Sequence, residues 1–144
     1  MSVKIKKLDA RGRICIPKDI LKNFNRDNLF ITKHTIEIPL ESGLGRFIEA
    51  FRYKHLSFLK ITDSEPEIST EKFAEQIKAA SIDNMKVDSS GRKLLPYDMK
   101  KWAGIKKRYV VVSVPDEPYI GVWSDKQWKK YTSYMNKLTK KYSF

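Results

Sequence analysis

Asp9-Ala10-Arg11-Gly12-Arg13-Ile14-Cys15-Ile16-Pro17-Lys18-Asp19 returns as Asp88-Ser89-Ser90-Gly91-Arg92-Lys93-Leu94-Leu95-Pro96-Tyr97-Asp98, at a constant offset of 79 residues. Lys7/Lys86, Asp9/Asp88, Gly12/Gly91, Arg13/Arg92, Pro17/Pro96, Asp19/Asp98 and Lys22/Lys101 are identical, while Leu8/Val87, Ile16/Leu95 and Ile20/Met99 keep their apolar class. So many gapless matches mark an internal repeat, and the repeat unit decides the fold.

Each repeated residue type has a physical task. Asp accepts hydrogen bonds from backbone amides ahead of it, and Gly adopts positive φ at no steric cost, so Asp-x-x-Gly forms a turn. Residues 3–8 alternate as a strand before the turn and residues 13–16 form another after it, which together predict a β-hairpin. Pro17 and Pro96 stop the strand and open short helices over residues 18–23 and 97–103, the second ending near Gly104. Such a unit is too small to bury a core. The copies must pair with each other or with copies from another subunit.

Residues 108–114 form a near-continuous apolar strand, residues 115–118 a turn, and residues 119–123 a returning strand, a pattern that implies burial on both faces. Asp116 and Glu117 lie between prolines and read as part of that turn rather than as a catalytic pair. Ser124-Asp125-Lys126-Gln127 has the form of a capping box opening a final helix. There Trp128, Tyr131, Met135, Leu138 and Tyr142 make an apolar stripe to pack on the body or on a neighbouring subunit. After the first unit the pattern is looser. Residues 29–32 and 35–39 read as two strands, residues 47–51 as a strand or the start of a helix, and residues 69–82 as a helix capped by Ser69 or Thr70.

The chain of 144 residues carries a formal net charge of +12, distributed unevenly. Residues 1–60 carry +7, residues 61–84 carry −4, and residues 85–144 carry +9. Two basic lobes around an acidic connector suit a polyanionic partner met at two surfaces. The expected organisation is a first repeat over 1–60, a helical connector over 61–81, a second repeat over 82–125 and a basic helix over 126–144. The single cysteine, Cys15, forms no internal disulfide and reads as a small buried hydrophobe. No stretch is apolar enough to span a membrane, and the first residues lack a secretory signal, so a cytoplasmic location is expected. His34 and His55 lack metal-ligand spacing. No nucleophile–base set or phosphate-cradling glycine loop is present either, so no metal, cofactor or enzyme activity is expected.

The doubled D-x-x-x-R, each copy followed by an apolar strand, Pro and a short helix, resembles the MraZ family of two-repeat AbrB/SpoVT-like swapped-hairpin regulators. Trp123-Ser124, with Trp128 beyond, resembles that family's second-repeat ending. The likeness is strong over residues 1–24 and 82–131 and weak between. It implies a mainly β fold with short helices (α+β), two swapped-hairpin β-barrel units fused in tandem, and a C-terminal helix. It further implies a nucleoid-associated transcriptional regulator, a ring-like homo-oligomer that binds double-stranded DNA through its D-x-x-x-R turns.

Carried onto this sequence, the resemblance makes Arg13 and Arg92 the main DNA contacts. Asp9, Gly12, Asp88 and Gly91 shape the turns. Lys6, Lys7, Arg11, Lys22, Lys86, Lys93 and Lys101 complete the basic set. The repeats differ within it: the first carries Arg11 where the second has Ser90, and the second has Lys93 where the first has Ile14. A guanidinium beside a turn glycine can bind a phosphate or guanine edge in bidentate fashion, or pair with the Asp four residues earlier. Lysines position on phosphates without reading sequence. The competing reading is an antitoxin-like or other protein-interaction module on the same fold, with the C-terminal helix engaging a partner.

Overall fold

Apolar alternation lays the chain into strands, and proline turns it into helices just where the repeat places them. The computed structural model describes residues 1–39, 53–63 and 83–141. The first half runs β1 (Ser2–Lys7), β2 (Arg13–Cys15), α1 (Lys18–Leu21), β3 (Leu29–Pro39) and β4 (Tyr53–Thr62). The second repeats that order as β5 (Asp83–Met85), β6 (Arg92–Leu94), α2 (Tyr97–Ala103), β7 (Arg108–Ser113) and β8 (Ile120–Ser124), followed by α3 (Asp125–Lys141). Pro17 (φ −57°) and Pro96 (φ −53°) stand just ahead of α1 and α2, and the Pro17 carbonyl accepts the Leu21 amide at 2.9 Å. Gly104, at φ 74°, closes α2 in the left-handed conformation that terminates helices.

The fold is mainly antiparallel sheet. Six strands run in the order β1-β7-β8-β4-β3-β5, and β2 pairs with β6 in a separate two-stranded ribbon. Exchanging the halves and reading that order backwards reproduces it. The ribbon is centred on Ile14 opposite Lys93, which are repeat equivalents, so an approximate two-fold axis passes through that pair.

One expectation is corrected here. β1 and β2 do not pair as a hairpin, because β1 crosses to β7 and β2 to β6, each in the other half. The turn between them is present nonetheless, with the Gly12 amide donating to the Asp9 carbonyl at 2.9 Å. Period-two alternation specifies which face a side chain takes but not which strand lies alongside, and a lone hairpin is marginal in water.

The sheet separates two apolar clusters. On one side Ile14 of β2, Ile16 just beyond it, Ile20, Leu21, Leu95 and Met99 pack against Leu29, Ile31, Leu59, Ile61, Tyr109, Val111, Ile120 and Val122. On the other, Leu56, Phe58, Val110, Val112 and Trp123 lie under Trp128, Tyr131 and Tyr134 of α3. Residues 109–112 alternate between the two clusters, so both faces of β7 are buried as expected from its continuous hydrophobicity. Trp123 stacks on Phe58 at 4.4 Å between ring centroids.

The two strands expected over 29–32 and 35–39 are one continuous strand, β3, paired along its length with β4. β4 itself was not foreseen, because its apolar residues change phase between Phe58 and Leu59 to serve both clusters. On α3, Tyr134 packs on the sheet, while Met135 is 41% exposed. The capping box is half made: Ser124 Oγ accepts the Gln127 amide at 3.1 Å. The Gln127 side chain instead accepts from the Ser57 amide and donates to the Ala103 carbonyl, joining β4 to α2. The readings over residues 47–51 and 69–82, and Tyr142, lie outside the described residues.

Candidate nucleic-acid interface

Both repeat turns are built by one carboxylate each. Asp9 Oδ1 accepts the Arg11 and Arg13 amides at 2.9 and 2.8 Å, and its Oδ2 accepts Arg13 Nε at 2.7 Å. Asp88 does the same with the Ser90 and Arg92 amides and Arg92 Nε, each at 2.9 Å. Backbone bonds close each turn, with Gly12 N–H to Asp9 O at 2.9 Å and Gly91 N–H to Asp88 O at 3.0 Å. The glycines take φ 76° and 81°, a region costly for residues with a Cβ. Amide donation from Arg13 is the largest influence holding Asp9 below the usual carboxylate range, and amide donation from Arg92 does the same for Asp88. A solvent-exposed Asp–Arg pair gains little from charge alone. The carboxylates therefore act chiefly as turn builders, and they aim the two guanidinium groups.

The ribbon brings the corners together. Arg13 lies opposite Leu94 and Cys15 opposite Arg92, and the alternating Ile14 and Ile16 are buried on the other side. Arg13, Leu94, Cys15 and Arg92 thus form one outward patch. Cys15 is half-buried rather than buried, because alternation turns it away from Ile14 and Ile16, and its thiol donates to the Ser90 carbonyl at 3.4 Å. Arg13 also approaches the opposite corner, with Nη1 3.8 Å from Asp88 Oδ2. The Arg13 side chain is 22% exposed and the Arg92 side chain 42%. The two expected contacts, charge-pairing and outward presentation, coexist in the same residues.

The other expected positions scatter around this patch. Arg11 and Lys7 are exposed beside the first corner and Lys86 beside the second. Lys6 lies opposite Tyr109 and is half-buried. Lys93 lies opposite Ile14, on the face that carries core residues, and is half-buried. Lys22 and Lys101 are exposed at the ends of α1 and α2.

Several cations near the corners escaped sequence reading. A Cβ on Gly12 would stand 3.6 Å from Lys100 Nζ, so the ammonium of α2 lies against the first turn. Lys107 accepts the Leu8 amide at its carbonyl (2.9 Å), and Arg108 lies opposite Lys7. At the second corner Arg26 donates to the Asp88 carbonyl. Each comes from the half opposite to the corner it serves. The clue is available only once the repeats are paired across the two-fold axis.

Tyr109 joins the halves at the ribbon. Its hydroxyl accepts the Cys15 amide at 2.7 Å and donates to the Cys15 carbonyl at 3.3 Å. Burial pushes its pKa up, keeping the donor proton in place. Among the described residues no group of three or more His, Cys, Asp or Glu side chains could hold a metal ion, and no helix is long and apolar enough to cross a membrane.

Residues 79–142 match the family model described as "MraZ protein, putative antitoxin-like". Over longer stretches the chain is similar to proteins named Transcriptional regulator MraZ. It is 24% identical over 126 residues to that of Finegoldia magna, covering 88% of this chain and 81% of that protein. It is 26% identical over 125 residues to that of Shewanella amazonensis (85% and 77%), and 28% over 131 residues to that of Corynebacterium urealyticum (88% and 82%). Both D-x-x-x-R corners are built alike, and the chain is similar over most of its length to proteins named Transcriptional regulator MraZ and over its second half to the MraZ family model.

Proposed function

We propose that the protein binds double-stranded DNA sequence-specifically through the β2–β6 patch and regulates transcription. The observation that carries this reading is the pairing of the two Asp–Arg corners on one ribbon, guanidinium groups outward, in a chain of net charge +12. Arginine on a base edge supplies roughly 1–3 kcal/mol of discrimination per contact. Flanking lysines supply the salt-dependent, sequence-independent part. The naming of the relatives as transcriptional regulators supports the regulatory consequence.

In this reading residues 1–60 and 82–125 are two swapped-hairpin units, supported by the crossing of β1 to β7 and of β5 to β3. The working form is a homo-oligomer in the cytoplasm, associated with the nucleoid, needing no cofactor. Several corners engaging repeated sites would convert modest contacts into tight binding through effective concentration.

Selection of bound duplexes from fragmented genomic DNA, followed by titration of the selected duplex, tests the proposal. The Arg13→Ala, Arg92→Ala double variant is expected to lose roughly a hundredfold or more in affinity for it. Undiminished binding by that variant overturns the reading. The description of the matching family model favours one second reading, an antitoxin-like module that blocks a partner protein. A stoichiometric second protein on purification, together with no selected DNA, would favour it.

A further inference from the structure

We infer that the two corners divide the work: the first is a phosphate clamp assembled from both repeats, and the second reads base edges through Arg92. This deepens the duplex-DNA reading above and rests on it. The first corner gathers cations. Arg11 and Lys7 come from its own repeat and are exposed. Lys100 Nζ lies against the Gly12 turn from α2. Exposed Lys106 and Lys107 lead into β7, the strand that pairs with β1 and opens with exposed Arg108; the Lys107 carbonyl accepts the Leu8 amide, and Arg108 lies opposite Lys7.

The approximate two-fold axis shows what the second corner lacks. The repeat equivalents of Lys100, Lys106, Lys107 and Arg108 are Leu21, Asp27, Asn28 and Leu29. Leu21 and Leu29 are core residues, and Asp27 and Asn28 are exposed without positive charge. Ser90 stands where the first corner has Arg11. Beside its own Lys86, the second corner receives Arg26 from the opposite half, and Arg26 donates to the Asp88 carbonyl and so braces the turn.

The arginines themselves differ in the complementary sense. Arg13 has Asp9 on Nε and Asp88 near Nη1. Arg92 has its Nε on Asp88, and its side chain is about twice as exposed as that of Arg13. Leu94, 57% exposed, offers an apolar contact on the same patch. A guanidinium held at Nε and open at its far edge suits bidentate hydrogen bonding to a base. Clustered lysines and arginines without a fixed partner suit phosphates.

Salt titrations separate the two roles. Affinity is measured for the genomically selected duplex and for a scrambled duplex of equal length and composition, from low to high salt. Lys100→Ala with Arg108→Ala is expected to reduce the log–log salt slope by about 2 on both duplexes, and to leave their affinity ratio unchanged. Arg92→Lys is expected to lower that ratio about tenfold or more while barely changing the slope. Asn28→Lys, which places a cation at the second corner, is expected to raise the slope by about 1.

The division fails if Lys100→Ala with Arg108→Ala lowers the affinity ratio as Arg92→Lys does. It also fails if that double variant keeps the wild-type slope, or if Asn28→Lys has no effect on a folded protein. Absence of duplex binding by the unmodified protein would instead overturn the DNA reading itself.

Discussion

The corner at Asp9–Arg13 and the corner at Asp88–Arg92 are the same object locally and different objects in context. Bond for bond, each carboxylate takes two amides and one Nε, and each glycine closes the turn on the aspartate carbonyl. Around the first stand Lys100, Lys107 and Arg108; Arg26 reaches the second, and the repeat equivalents of Lys100 and Arg108 are the buried Leu21 and Leu29. Because each half contributes strands to the other, a mutation in one repeat alters the surroundings of the opposite corner. Duplicated motifs therefore keep their internal geometry while their environments are free to diverge.

The largest difference concerns the two glycines. A Cβ at Gly91 would lie 2.5 Å from the Ile16 carbonyl oxygen, in the same contact where the Gly91 carbonyl accepts the Ile16 amide at 2.9 Å. At Gly12 the nearest atom is the flexible Lys100 Nζ at 3.6 Å. Both substitutions to Ala incur the left-handed backbone cost, roughly 1–2 kcal/mol. Gly91→Ala adds a backbone clash at the ribbon, bringing its loss to roughly 3 kcal/mol or more. Chemical denaturation of the two variants measures the gap, and equal losses would mean that the ribbon is not pinned at Gly91.

Next comes Tyr109, whose hydroxyl satisfies the Cys15 amide beside the first corner. Its repeat equivalent is Phe30, which has no such group. Tyr109→Phe removes the acceptor and is expected to cost about 1–2 kcal/mol. An unchanged unfolding midpoint would show that solvent replaces it.

The repeat, its turns, the β7–β8 hairpin and the start of α3 were all legible in the sequence, because each depends on local chemistry: Asp and Gly in turns, Pro before helices, Ser124 at a cap. The partners of β1 and β2 were not legible, since alternation carries no information about which strand is adjacent. The same limit hid Lys100, Arg108 and Arg26, which reach their corners only through pairing between halves. The pairing of Arg13 and Arg92 with their aspartates was legible because the partners lie four residues apart. Cys15 departs from the burial expected of an apolar run of three, because a strand turns its middle residue to the opposite face.

Arg26 tests the second corner's bracing. Its guanidinium donates to the Asp88 carbonyl, whereas the repeat equivalent, Ile105, is a buried core residue with no polar reach. Arg26→Ala is expected to cost about 1 kcal/mol in stability and to reduce protection of the Gly91 amide from hydrogen exchange more than that of Gly12. Equal changes at both amides would contradict a brace specific to one corner.

The smallest expected effect is the pH response, and it asks how alike the corners are. Asp9 and Asp88 both have folded-state pKa values below the ordinary carboxylate value, chiefly because amides of Arg13 and Arg92 donate to them. A group depressed by folding stabilises the native state at pH above its unfolded value, and that contribution disappears as pH falls through the folded value. Stability should thus decline below the usual carboxylate range. Asp9→Asn and Asp88→Asn should each be less stable at neutral pH and flatter in their acid response. Matching donor sets predict similar flattening for the two, which thermal unfolding midpoints measured from pH 7 down to about 3 can compare. Asp88 has one additional neighbour, Arg13 Nη1 at 3.8 Å, too long for a hydrogen bond and partly solvated. If Asp88→Asn flattened the curve far more than Asp9→Asn, that cross-corner contact would outweigh the local amides, and the two turns would have to be treated as one coupled unit.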